Sequence, residues 1–421
     1  MKYDFIADIL DGKVSTKAKL RGWIHRKRDQ KKMVFLMLRD STGVIQLACK
    51  DKILEKAREA TIESSVEIEG KIKKDDRAPG GYEIQVDKIK IVGLAESPFP
   101  IGKDLSDEFT RDVRHLWLRS RKLSQTLRVS SEVFKAIREF YYSKKYTEFQ
   151  SPIFTKADCE GGSTLFEVPY FGKKGVYLSQ SWQLHAEAAI FGLEKIFTIA
   201  PAFRAEKSRT IRHLSEYWTA EAEVAYMDFE AMMKEEEELI LYVVKHVLKH
   251  CKRELEELGR DTKDLEKLKG PFKKIKYEDV LKELGKKWGH DITDKEEREL
   301  VKKYGKPIFI THFPRDMKAF YMKVDPKDSR VVFGADLLIP GVGEVIGGSE
   351  RISDLEELME SIKIFKLKKE DYQWYIDLRK YGTVPHSGYG IGLGRLIMWI
   401  TGSKHIMDTV AFPRTMERIY P

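Results

Sequence analysis

Between residues 14 and 93, apolar and polar positions alternate in five short runs: KAKLRGWIH, MVFLMLRD, GVIQLACK, SSVEIEGKIKK and YEIQVDKIKIVG. A period of two turns one face of each run to a core and the other to water, so each is predicted as a β-strand. The breaks fall at DSTG and RAPGG, both turn-forming. DKILEKAREA, between the third and fourth runs, has helical spacing. Residues 95–109, AESPFPIGKDLSDEF, carry prolines and little periodicity. From 120 to 145 the spacing changes to three and four, as in EVFKAIREFYYSK, which predicts a helix. YTEFQSPIFT follows as a strand interrupted by Pro152; proline cannot donate to a central ladder, so Pro152 belongs at an edge or an interface. Beyond 164 the predicted strands are LFEVPYF, VYLSQS, KIFTIAPAFRAE and SEYWTAEAEVAY, followed by a long helix over DFEAMMKEEEELILYVVKHVLKHCKREL. Residues 255–304 are rich in Lys and Glu, read as mostly helical, and show no chemistry. KPIFITHFP, AFYMKVD, VVFGADLLIP and GEVIGGSERI return to strands, and the chain ends with a short helical region, a glycine-rich turn and a helix, RLIMWITG.

Five strands with one helix after the third is the order of an OB-type barrel, a frequent binder of single-stranded nucleic acid. The later runs of antiparallel-type strands with covering helices predict an α+β fold rather than alternating βαβ units. The expected organisation is a barrel over 1–95, a hinge or linker over 96–120, and a second domain over 121–421. That domain is expected to hold an antiparallel sheet of about six or seven strands flanked by helices.

The 421 residues suffice for two or three domains with substantial cores. With 42% hydrophobic and 34% charged residues, the chain reads as globular and soluble. No apolar run approaches a membrane span and MKYDFIADIL lacks a signal peptide's apolar core, so a cytoplasmic location without membrane partners is expected. Cys49, Cys159 and Cys251 are far apart and show no metal-ligand spacing. The net charge of +9 and a pI near 9.0 permit a polyanionic partner. The charge is uneven: RGWIHRKRDQKK is basic and EAMMKEEEEL acidic. The sequence contains no asparagine. Selection against labile amides at high temperature is one account, and engineering or reconstruction is another.

Three stretches carry chemistry. In FRAEKSRTIRHLSEYWTAEAE (203–223), Arg204 and Glu206 are two apart and would share a strand face, as would Glu221 and Glu223. The basic segment between them suits a loop over that surface. A guanidinium grips phosphate in two-pronged fashion and a carboxylate orients an amine or a cation; a salt-bridged strand pair is the plainer alternative. In SGYGIGLGRLIMWITG (387–402), glycines 388, 390, 392 and 394 occupy every second position, unlike a dinucleotide fingerprint. They leave a smooth floor for a flat base, or for a neighbouring strand. Arg395 follows where a helix starts, a place that favours phosphate oxygens. In PGVGEVIGGSERI (340–352), Glu344 is a candidate ligand for a hard cation. Gly347 and Gly348 allow close approach to backbone, although Glu344 and Arg351 also fit a simple exposed pair.

Together these stretches resemble the signature motifs of class II aminoacyl-tRNA synthetases. The helix and strand ending at Pro152 look like motif one, FRAE to EAE like motif two, and GYGIGLGR like motif three. RGWIHRKRDQKKMVFLMLRDSTGVIQL is similar to the anticodon-binding domain of the aspartyl, asparaginyl and lysyl subgroup. The resemblance covers nearly the whole chain. THFPRDMKAFYMK, GEVIGGSERI and RHLSEYW are most similar to asparaginyl enzymes of the archaeal kind. Aspartyl enzymes carry QSPQ and, shortly after it, a lysine that pairs with the substrate's side-chain carboxylate. Here the segment is QSWQLHAEA and that position is Ala186. Without the ammonium, a carboxylate would lose its water unpaired, at a cost of about several kcal/mol, whereas an amide suffers less.

The resemblance implies two-step ligation. L-Asparagine is activated by ATP to the adenylate, with Mg²⁺, and then passed to the 3′ end of tRNA(Asn) by a homodimer joined around Pro152. It implies that Arg204 holds the α-phosphate and the substrate carboxylate. Glu206, Arg212, His213 and Leu214 lie over ATP, and Glu344 carries the metal. Arg395 binds the γ-phosphate above the floor around Gly392. Glu160, Gln183 and Arg351 complete the amino-acid pocket. In the barrel, Phe35 stacks on an anticodon base while Arg26 and Gln46 read nearby edges. Two positions depart from the pattern: relatives often have Ser or Thr at Gly347, where a second metal contact would lie, and Glu at Gly394. An aspartyl-tRNA synthetase, an asparagine synthetase on the same core and a non-catalytic RNA-binding protein are the rival readings. A third account of the missing asparagines follows from the resemblance: such an enzyme can be translated while its own tRNA is uncharged.

Overall fold

A computed structural model describes residues 3–102, 105–159 and 164–421 and divides the chain into two compact units, residues 1–110 and 111–421. In the first unit the five predicted strands form: β1 (Lys17–Gln30), β2 (Met33–Arg39), β3 (Val44–Cys49), β4 (Ser65–Lys74) and β5 (Tyr82–Gly93). They close into a barrel in the order β1-β2-β3-β5-β4, and β3 and β5 run parallel where it shuts. The alternation does what it predicts: Leu20, Ile24, Val34, Leu36, Leu38, Ile45, Leu47, Val66, Ile68 and Ile84 point inward and are buried. The helix after the third strand is Leu54–Glu59. A five-residue helix, Ile6–Leu10, was not expected; its Ile6 and Ile9 are fully buried in the barrel core.

The second unit is built on an eight-stranded sheet, larger than expected and not wholly antiparallel. Its strands are β6 (Thr147–Glu148), β7 (Lys195–Phe203), β8 (Glu216–Ala225), β9 (Lys273–Lys276), β10 (Ile308–Thr311), β11 (Gly334–Ile339), β12 (Gly343–Glu350) and β13 (His386–Gly392). The spatial order is β9-β10-β11-β12-β13-β8-β7-β6. The inner ladders are antiparallel, while the two edge pairs, β9 with β10 and β6 with β7, are parallel. β9 lies inside the segment read as mostly helical. Pro152 falls between β6, an edge strand, and the short strand Phe154–Thr155 of a separate hairpin.

The helix predicted from 120 is α1 (Arg121–Ser143), started by Ser120, whose hydroxyl accepts from the Leu123 amide. A second helix, α2 (Gln183–Leu193), was missed. The long acidic helix is α3 (Phe229–His250), capped by Asp228. Two more matter below: α4 (Asp294–Tyr304), opened by a Thr293–Glu296 capping box, and α5 (Leu393–Thr401). Val133, Ile137 and Tyr141 of α1 share one core with Met232, Leu239 and Val243 of α3 and with Phe197, Ala222, Ile346 and Ile391 of the sheet. α1 and α3 therefore cover one face, and the site lies on the other.

Arg114 ties down the C-terminal segment. Its buried guanidinium donates to the carbonyls of Ala411 (2.8 Å), Met407 (2.7 Å) and Val410 (2.7 Å), and burial lowers its pKa to about 10. Arg114→Met strands three half-buried acceptors, and we expect about 3 kcal/mol of destabilisation, read from urea unfolding of the second unit's signal.

Candidate active site

A cavity of about 630 Å³ opens on the other face of the sheet, beside α2. Of the residues expected in the catalytic site, Gln183, Arg204, Glu206, Arg212, His213, Leu214, Glu344, Arg351, Gly392 and Arg395 all line it. Glu160 lies outside the described residues.

The register explains the glycines. Gly388 stands opposite Glu223 and Gly390 opposite Glu221 on the neighbouring strand. A Cβ on Gly388 would fall 2.0 Å from Glu223 Oε2, and one on Gly390 would fall 3.3 Å from Glu221 Cγ. The missing side chains make room for two carboxylates as well as for a flat floor. Gly394 is not part of that floor: β13 ends at Gly392, and Gly394 sits in the first turn of α5, pressed against Ile406 and Thr409. Arg204 and Glu206 do not share a strand face either, because β7 stops at Phe203. The Arg204 amide donates to Ser215 O (3.0 Å), its guanidinium lies over the Tyr217 ring, and Arg204 Nη1 is 3.8 Å from Glu206.

One end of the cavity is a network of phosphate-type and metal-type groups. Arg395, in the first turn of α5, donates to Glu344 Oε2 (3.1 Å) and to the Glu344 carbonyl (3.0 Å). Its Nη2 is 3.3 Å from His213 Nε2. That bond needs an acceptor at Nε2, so the His213 proton sits on Nδ1, which faces Ser208 and Thr210. Burial and the Arg395 charge both lower the His213 pKa, consistent with a neutral ring. Burial pushes the Glu344 carboxyl up, but Arg395, Lys318, Arg212 and Arg204 outweigh it and hold it at about 2.

A second carboxylate, Asp336, faces the same space. A Cβ on Gly347 would lie 3.5 Å from Glu344 Oε1 and 3.7 Å from Asp336 Oδ1. Lys318 Nζ donates to both Asp336 oxygens (2.9 and 2.6 Å). Burial nevertheless raises Asp336 to about 6, against Lys318 and with the help of Glu344's charge. Two hard oxygen donors around an open position fit a magnesium ion held partly by phosphates. Asp336 was missed because one acid in VVFGADLLIP reads as strand.

Arg212 enters this end from the motif-two loop and is buried. Its Nε is 2.7 Å from Asp294 Oδ1 and its Nη1 bonds to Glu297, both on α4. Glu297 also accepts from the Glu344 amide at 3.0 Å. The Lys/Glu-rich region thus holds two of the expected ATP-site residues, where it was read as having no chemistry.

The other end is walled by a buried ion pair. Arg351 makes a two-pronged bond to Glu223, Nε to Oε1 and Nη2 to Oε2, both 3.0 Å, while its Nη1 donates to Ser349 (2.7 Å). Both partners are buried. Burial raises the Glu223 carboxyl and Arg351 opposes the rise. Ser181 and the Trp182 amide donate to Glu221, which fixes the turn into α2 and so the position of Gln183. Ala186 is fully buried in an apolar cluster with Trp182, Ile190 and Val384 and brings no charge to the wall.

A family model for the tRNA synthetases of class II (D, K and N) matches residues 106–416. The chain belongs to this family. An OB-fold nucleic acid binding domain model matches residues 18–92. The chain is 45% identical over 419 residues to the asparagine–tRNA ligase of Thermoplasma acidophilum, covering 97% of each sequence. It is 46% identical over 430 residues to the ligase of the same name from Thermococcus kodakarensis, covering 99% of each. Its fold matches the asparaginyl-tRNA synthetase of Pyrococcus horikoshii complexed with asparaginyl-adenylate, with a TM-score of 0.95, 41% identity and full coverage of both chains. Class II membership carries ATP-dependent chemistry with it, and no helix among the described residues is long and apolar enough to cross a membrane.

In the synthetase's barrel, Arg26, Met37 and Gln46 are register partners across β1, β2 and β3, and Arg28, Phe35 and Ala48 form the next row. Arg26 is exposed, Phe35 and Gln46 are half-buried, and Gln46 donates to Glu83 (3.2 Å). The three expected anticodon-site residues therefore share one outer face.

Proposed function

We propose that the chain is an asparagine–tRNA ligase. It activates L-asparagine with ATP and esterifies the product to the 3′ end of tRNA(Asn). The observation that carries the specificity is the closed Arg351–Glu223 pair. A buried guanidinium already met by a carboxylate offers an entering aspartate no free cation, whereas a side-chain amide can accept from Arg351 and donate to Glu223. The family relationship to ligases of that name over the full length supports the same substrate.

In the first step the α-carboxylate of asparagine attacks the α-phosphorus and pyrophosphate leaves; in the second, the terminal ribose hydroxyl attacks the acyl carbon. No protein nucleophile is required, so alignment and charge neutralisation supply the catalysis. Arg204 holds the carboxylate against the α-phosphate. Arg395 meets the γ-phosphate, with His213, Leu214 and Glu206 beside the nucleotide and Gly392 beneath it. Gln183 and Arg351 hold the amino acid, together with Glu160. Arg212, anchored by α4, braces the loop that carries His213. Glu344 and Asp336 would hold Mg²⁺, which when bound withdraws charge from the phosphate oxygens. A homodimer through the Pro152 segment suits the exposed Ile153, Phe154 and Phe171 beside it. We place the enzyme in the cytoplasm with its tRNA.

The assay is asparagine-dependent exchange of pyrophosphate into ATP. We expect exchange with asparagine at least about 100-fold above aspartate, given the cost of an unpaired buried charge. A preference for aspartate, or no exchange with either, would overturn the assignment. In the barrel, Phe35→Ala removes a stacking surface worth about 1–3 kcal/mol per base. Its KM for tRNA should rise about 10-fold or more while pyrophosphate exchange stays unchanged.

A further inference from the structure

Behind the amino-acid pocket lies a cluster that the reaction does not touch. Glu187, on α2 one turn after Gln183, is fully buried and does not line the cavity. Gln183 Nε2 donates to its Oε1 (2.9 Å). Its Oε2 receives Tyr375 OH (2.7 Å) and Arg379 Nη2 (2.5 Å) and lies 2.9 Å from His386 Nε2. Arg379 is buried as well, with Nε on the Ile352 carbonyl (2.8 Å). Carboxylate oxygens of Glu187 and Glu223 and a ring nitrogen of His386 all lie within 4.8 Å of one another. That spacing would admit a cation, but Arg351 and Arg379 already supply the positive charge.

His386 Nδ1 also faces the Val384 carbonyl (2.7 Å), so both ring nitrogens donate and the ring adds a third positive charge. Two guanidiniums and this imidazolium thus stand with two carboxylates in one water-poor wall, which leaves a single positive charge uncompensated. We propose that Glu187 is a specificity-determining positioning residue: by offsetting Arg379 and His386 it keeps the positive charge of the wall behind the substrate side chain low, and so helps to exclude aspartate. Its bond to Gln183 Nε2 also turns the Gln183 carbonyl oxygen away from itself, leaving an acceptor for the substrate's ammonium. The inference rests on asparagine being the substrate.

Removing one carboxylate makes the wall more positive, and removing one guanidinium makes it less so. An unscreened unit charge at this range shifts the preference between a charged and a neutral substrate by about 30-fold. Glu187→Gln should therefore lower the ratio of kcat/KM for asparagine over aspartate by about 30-fold, through faster exchange with aspartate. Arg379→Met should change the ratio in the opposite direction, with KM for ATP unmoved in both. Shifts of the same sign in both variants would indicate loosened packing and overturn the proposal, as would a folded Glu187→Gln enzyme with an unchanged ratio. If Glu187→Gln does not fold, Arg379→Met decides alone: slower exchange with aspartate relative to asparagine supports the proposal, and faster exchange defeats it. Wild-type preference for aspartate would instead defeat the substrate assignment itself.

A different observation carries a second inference. The sequence has eight glutamines and no asparagine. Lys145, Tyr226 and Lys366 are exposed and hold φ of 65°, 61° and 55°, where asparagine is favoured over such side chains. The residues after them are Tyr146, Met227 and Leu367, bulky neighbours that slow the ring closure by which asparagine deamidates. Neither local structure nor heat accounts for asparagine's absence at these sites. We infer that the enzyme's synthesis is insulated from its own product, so that it is still made when asparaginyl-tRNA has run out; this too rests on asparagine being the substrate. The test is pulse-labelling of full-length chain in asparagine-starved cells, comparing wild type with a chain carrying Lys145→Asn, Tyr226→Asn and Lys366→Asn. Wild-type synthesis should exceed the substituted chain's by about 10-fold in starvation and equal it in plenty. Equal rates during starvation would overturn the inference.

Discussion

Arg204→Ala is expected to lower kcat/KM for asparagine-dependent exchange by about 10³-fold, mostly in kcat, because the charge it meets is largest in the transition state. The position is set by backbone rather than by a flexible loop. Its amide closes on Ser215 at the mouth of the β7–β8 hairpin, and the guanidinium is steered over Tyr217. Arg204→Lys keeps the charge but loses the two-pronged grip, and about a 10²-fold loss is expected. Arg209 provides the control. It belongs to the same loop but is 77% exposed and paired with Glu417, so Arg209→Ala should leave exchange within about 2-fold of wild type. A Arg204→Ala enzyme that loses only ATP affinity, with kcat intact, would show that this guanidinium binds nucleotide without touching the reacting phosphorus.

The barrel was legible residue by residue because each strand has one wet face, and alternation is the direct imprint of that asymmetry. The sheet of the second unit was less so. α2 escaped notice because its buried side carries Gln183 and Glu187 beside Leu184, Ala186 and Ile190, so the polar residues that serve the pocket erase the apolar stripe. Edge strand β9, four residues long, is three parts lysine and looked like solvent-facing helix. In the site, the residues that resembled a known pattern came together around one cavity. Those that support them did not announce themselves: Asp336 lies in an apolar strand, Asp294 and Glu297 sit in a charge-rich helix, and Arg379 is far along the chain. Partner choice between buried charges is a property of the folded geometry, and no spacing in the sequence encodes it.

Glu344→Ala is expected to reduce kcat about 10³-fold and to raise the Mg²⁺ concentration for half-maximal exchange, since it would remove both a proposed metal oxygen and the carboxylate that holds Arg395. These two roles separate in Glu344→Gln. The amide keeps the shape and can still accept from Arg395, yet it is a poor ligand for a hard cation. If the metal role dominates, Gln and Ala variants fall together; if Glu344 only positions Arg395, Gln stays close to wild type and the Mg²⁺ titration does not move. Asp336→Asn gives the independent reading. It is not bonded to Arg395, so a rise of about 10-fold in the Mg²⁺ requirement, with Arg395-dependent ATP affinity preserved, places the ion between the two carboxylates beside Gly347. The freed Lys318 ammonium would then point into a site that has lost a negative charge, which works against cation binding in the same direction and makes the Asp336→Asn shift larger than the loss of one oxygen alone.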